Sequence, residues 1–89
     1  MRTSCLFALV LSAQLALSAC GGPPEGARQA QRHLRSGNYD AAEAAADKTL
    51  ASHPGDPTSW RVKIRIEMAR GDLRAAAALY QQWREQRGS

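Results

Sequence analysis

Gly37-Asn38-Tyr39-Asp40-Ala41-Ala42 recurs 34 residues later as Gly71-Asp72-Leu73-Arg74-Ala75-Ala76, with the glycine, the short polar side chain, the large apolar one and the alanines in register. Glycine has no Cβ to clash in the left-handed conformation, so it suits the position just past a helix end. An Asn or Asp directly behind it accepts a backbone N–H from the first turn of the next helix. Each stretch therefore predicts a tight turn between two helices. A period of this size, with helical patterning inside each unit, points to stacked helical hairpins and an all-α fold.

Around these turns the pattern predicts four helices, at residues 26–36, 39–53, 57–70 and 73–87. Between the second and third stands Pro54-Gly55-Asp56-Pro57, a helix stop followed by Asp56 as N-cap and Pro57 at the first helical position. It divides the chain into a first helix-turn-helix unit at 27–54 and a second at 55–89. The helix at 57–70 has two apolar faces: Trp60, Ile64 and Met68 on one, Val62, Ile66 and Ala69 on the other. Two apolar faces need two packing neighbours, as in the inner helix of a stack.

These residues resemble the tetratricopeptide repeat over nearly all of the chain beyond residue 26. Trp60 matches that repeat's early aromatic, Gly71-Asp72-Leu73 its hairpin turn, and Ala76 with Tyr80 its alanine and aromatic four apart; Gly37-Asn38-Tyr39-Asp40, Ala42 and Pro54 match in the first unit. Departures are Ile64 and Trp83 at usually small sites, Ala46 in place of an aromatic, and Gly88 where a closing proline is usual. They predict irregular packing in the second unit. The resemblance implies a concave groove lined by the first helix of each unit, holding a peptide or a partner's helix. In this chain it would present Gln31, Leu34 and Arg35, then Thr58, Arg61, Arg65 and Met68. Arg61 and Arg65, one helical turn apart, are suited to grip a carboxylate, so the expected partner is an acidic protein or peptide.

The first twenty residues carry a separate message. Arg2 is a short positive region, the run from Cys5 to Leu17 is apolar except for Ser12 and Gln14, and Ser18 and Ala19 are small. Such a run is short of the about 20 apolar residues of a membrane-spanning helix and predicts a cleavable signal peptide at 1–19. Leu17-Ser18-Ala19-Cys20 resembles the lipobox of bacterial lipoproteins, which implies cleavage before Cys20 and lipidation of its thiol. With Gly21 rather than Asp after the cysteine, the family's sorting rule implies the outer membrane, facing the periplasm. Residues 20–26, rich in Gly and Pro, read as the lipidated N-terminus and a tether reaching at most about 20 Å.

The whole chain has a formal charge of +4, and without Arg2 it is +3, eleven Lys and Arg against eight Asp and Glu. This favours acidic partners, but an exported domain rarely meets nucleic acid, and none is expected. Beyond Cys20 there is no cysteine, no glycine-rich phosphate loop, and only His33 and His53, in different helices with no partner set for a metal. No enzymatic activity, cofactor or metal is expected. Ser36, Ser52 and Ser59 fall at helix ends, where caps and turns account for them. Tyr80 and Trp83 on the last helix either complete the core or form an aromatic docking patch. Two units without a terminal capping helix, one of them rich in alanine, predict low stability. The chain is thus expected to be a membrane-tethered periplasmic lipoprotein acting as a small interaction adaptor for envelope, pilus or secretion assemblies. The alternative is a structural lipoprotein that self-associates through its open repeat ends as a homo-oligomer, with no heterologous peptide ligand.

Overall fold

A computed structural model describes residues 22–88. Within them lie four helices and no strand: α1 (Glu25–Arg35), α2 (Tyr39–Ser52), α3 (Pro57–Ala69) and α4 (Leu73–Gly88). Each end lies beside the one read from sequence. α1 pairs with α2 and α3 with α4, while α3 also lies against α2 and α1, so two hairpins stack into one all-α body. The lipobox with Cys20, the signal peptide and the first tether residues lie outside the described residues.

The two hairpin turns are built alike. At the first, the Gly37 N–H donates to the Leu34 carbonyl and the Asn38 N–H to the His33 carbonyl, at 3.1 and 2.9 Å; at the second, Gly71 donates to Met68 and Asp72 to Glu67, at 3.0 and 2.9 Å. Both glycines have φ 79°, the left-handed value that makes this pair of bonds possible. Asn38 then accepts from the Ala41 N–H at 3.4 Å and Asp72 from the Ala75 N–H at 3.0 Å. One residue thus ends one helix with its N–H and starts the next with its side chain. Between the hairpins, Asp56 accepts from both the N–H and the hydroxyl of Ser59, at 2.9 and 2.6 Å, with Pro57 in the first turn.

At the start of α1 the helix overlaps the last two residues of the expected tether. Glu25 and Gly26 belong to the first helical turn, which opens as Ala27 and Arg28 donate to the Pro24 carbonyl. Glu25 suits the positive end of the helix dipole and reaches Arg32 at 3.0 Å. Gly26 is tolerated there because α2 comes so close that a Cβ would overlap the Thr49 hydroxyl.

The core lies between the hairpins. Ala30 of α1, with Ala42 and Ala46 of α2, are fully buried and small enough to leave room for Val62 and Ile66 of α3, with Leu34, Tyr39 and Ala45 packed at the edge. Burying side chains the size of Val62 and Ile66 contributes about 1.5–3 kcal/mol each. Trp60 is also buried and donates its indole N–H to the Pro54 carbonyl at 2.7 Å, which fastens the loop between the units to α3. Along the antiparallel seam of α2 and α3, Lys63 meets Asp47 at 2.7 Å, and Arg70 meets Asp40 at 3.2 Å and Glu43 at 3.3 Å.

The two apolar faces expected of α3 are shorter than its spacing suggested. Met68 is 56 % exposed and Ala69 is exposed as well. Leu34, the counterpart of Met68 in the first unit, packs on the core between the hairpins, whereas no further unit follows within the described residues to cover Met68.

Candidate partner-binding groove

α1 and α3 run side by side and present one shallow concavity of ≈ 130 Å³, lined by Gln31, Leu34 and Arg35 from α1 and by Thr58, Arg61, Val62 and Arg65 from α3. Thr58, Arg61 and Arg65 share a helical face by their spacing of three and four residues. Leu34 and Val62 supply the apolar surface between the basic side chains. Arg35, Arg61 and Arg65 are all exposed, and among the described residues none of them is in an ion pair. Several bases elsewhere are occupied, Arg28 and Arg32 on Glu25, Lys63 on Asp47, and Arg70 on Asp40, Glu43 and Glu67, whereas Lys48 and the arginines of α4 are in no ion pair among the described residues. What sets the groove apart is that three unneutralised arginines line one concavity. A carboxylate held by two such guanidiniums would gain charge-assisted hydrogen bonds beside an apolar floor.

Of the residues the sequence nominated, Gln31, Leu34, Arg35, Thr58, Arg61 and Arg65 line this one concavity, whereas Met68 does not and lies exposed at the end of α3. Val62 was missed as a lining residue. Its place one turn after Thr58 was the available signal, but its apolar character assigned it to packing alone, and it does both.

A larger hollow of ≈ 400 Å³ opens between α1 and α2, walled by residues that include Gln29, Lys48, Thr49, Ser52 and His53. Its hydroxyls are already used, Thr49 donating to the Ala45 carbonyl at 2.8 Å and Ser52 to the Thr49 carbonyl at 3.3 Å. Among the described residues no cluster of three or more His, Cys, Asp or Glu side chains is placed to hold a metal ion, and no helix is long and apolar enough to cross a membrane.

On α4, Tyr80 and Trp83 meet edge to face with centroids 6.0 Å apart, and the Arg87 guanidinium lies 5.2 Å from the Trp83 ring centre. Trp83 is half-buried with its indole N–H enclosed and unbonded, while Tyr80 is 49 % exposed. Trp83 is thus the more enclosed of the two, and Tyr80 the more exposed.

A family model described as tetratricopeptide repeat matches residues 27–89. No curated protein and no solved structure matches the chain.

Proposed function

The chain belongs to the tetratricopeptide-repeat family, and from that footing we propose that it is a lipid-anchored adaptor of the bacterial envelope whose groove takes an acidic peptide segment. Repeats of this family are protein-interaction modules and typically non-catalytic, so a protein partner is the coarse reading. The finer reading is carried by one observation, the three unpaired arginines around the Leu34 and Val62 floor. A basic rim with an apolar centre selects a partner that offers carboxylates beside one or two apolar side chains, and steers it there over a distance set by salt.

The lipobox-like Leu17-Ser18-Ala19-Cys20 supports anchoring by a lipidated Cys20 in the outer membrane, facing the periplasm. Helix α1 begins at Glu25, so little chain separates the anchor from the groove. An adaptor held in this way meets partners in a thin layer next to the membrane and not in the bulk compartment.

Two measurements test the reading. Immobilised peptides in acidic and charge-neutralised versions should divide sharply on the wild-type chain, and the double variant Arg61→Glu, Arg65→Glu should lose the acidic set by about tenfold or more. Equal retention by both chains refutes the groove. For the anchor, mass spectrometry of Cys20→Ser should find an unprocessed chain without acyl groups; a cut and acylated product from that variant removes the lipoprotein reading.

A further inference from the structure

The interface between the two hairpins is built once and then begun again. On its first-unit side stand Leu34, Tyr39 and Ala46, which pack with Val62 and Ile66 of α3. Thirty-four residues on stand Met68, Leu73 and Tyr80, and these are the exposed large hydrophobic residues among those described, at 56, 69 and 49 %. The C-terminal end of the stack repeats the surface that receives α3 and leaves it uncovered. Exposed apolar side chains gathered at one place mark an interaction surface more often than scattered ones do.

We propose that this end, the outward face of α4 with Met68 from the last turn of α3, is a second docking surface that receives one amphipathic helix with acidic flanks from a partner protein. The internal interface supplies the template for the occupant. There α3 offers Val62 and Ile66 four residues apart, with Lys63 on Asp47 and Arg70 on Asp40 and Glu43. At the uncovered end the counterparts of Asp40, Glu43 and Asp47 are Arg74, Ala77 and Gln81, and α4 carries Arg74, Arg84 and Arg87 against Glu85 alone. The rim has changed sign. A helix that keeps the apolar pair but carries acids where α3 has Lys63 and Arg70 matches both the shape and the charge of this end.

A second copy of the chain does not. In head-to-tail stacking the arriving helix is α1, where the counterparts of Val62 and Ile66 are Arg28 and Arg32, exposed and ion-paired with Glu25 at 3.9 and 3.0 Å. Setting those guanidiniums on an apolar face strips their water without repayment. Antiparallel pairing of two α4 helices about the Ala77 to Tyr80 turn places Arg74 of one copy beside Arg84 of the other, a like-charge contact. Helix α1 therefore closes the stack with a charged face, and the open end is left for a different protein.

The test uses a synthetic peptide of residues 57–72 of this chain carrying Lys63→Glu and Arg70→Glu, with the unaltered 57–72 peptide as control, each titrated by fluorescence anisotropy against the full chain in detergent. The charge-swapped peptide should bind at least about tenfold more tightly than the control. Leu73→Asp in the protein, at an exposed position that leaves the core untouched, should abolish its binding, and Arg74→Glu should erase or reverse the preference. Arg61→Glu with Arg65→Glu should leave it unchanged, which separates this surface from the groove. Equal affinity of the two peptides, or no binding of either, overturns the proposal. So does binding that is lost with the Arg61 and Arg65 variants, or a mass that rises with concentration until Leu73→Asp prevents it, since a second copy would then be the occupant.

Discussion

Gly26 reverses an ordinary rule. In an exposed helix, alanine is more favourable than glycine by about 1 kcal/mol. Here a methyl group at residue 26 meets the hydroxyl of Thr49, a side chain 5 % exposed and already bonded to the Ala45 carbonyl. Gly26→Ala is expected to lower stability by about 1–3 kcal/mol through overpacking of α1 on α2. Thr49→Ala in the same chain should recover most of it, and a double-mutant cycle by urea titration reads the coupling. Additive effects would show that the two helices simply move apart. Nothing local to Gly-Pro-Pro-Glu-Gly announces this contact, which is why Glu25 and Gly26 read as the end of a tether in the sequence and as the first helical turn in the fold. Gly37 and Gly71 are the opposite case: the turn they permit is completed by residues within a few positions, so their role is legible directly.

At the scale of elements, helix ends were legible because caps act over three or four residues, whereas the partners of each helix were not. Periodicity places Val62 and Ile66 on one face of α3, but that Lys63 reaches Asp47 and Arg70 reaches Asp40 depends on how α2 lies across it. Met68 shows the same gap: its apolar spacing continues the face, yet among the described residues no helix covers it. Arg70 joins three carboxylates, those of Asp40, Glu43 and Glu67, whose side chains range from 98 to 15 % exposed. Such partly exposed pairs contribute about 0–1 kcal/mol each, and the fully wet Asp40 contributes least. Arg70→Gln should cost about 1 kcal/mol at low salt, and the loss should shrink as salt rises. A salt-independent loss would assign Arg70 a packing role instead.

For the whole molecule, the core is small. Alanines make up much of it, and the largest fully buried side chain is Ile66. Together with the exposure of Met68, Leu73 and Tyr80, this predicts a midpoint of thermal unfolding near or below about 50 °C for the isolated chain. A midpoint well above that, unchanged with protein concentration, contradicts the expectation. A stack this short would draw part of its stability from whatever it holds, because binding to the folded state alone shifts the unfolding equilibrium. The two tryptophans of the chain sit at the two places where that matters. Trp60, hydrogen-bonded to Pro54 in the joint between the units, and Trp83, edge to face with Tyr80 on α4, are intrinsic optical reporters of different events. Replacing either with phenylalanine leaves a single tryptophan to excite selectively. Loosening of the joint and arrival of a helix at the open end can then be followed as separate signals, without attaching any label.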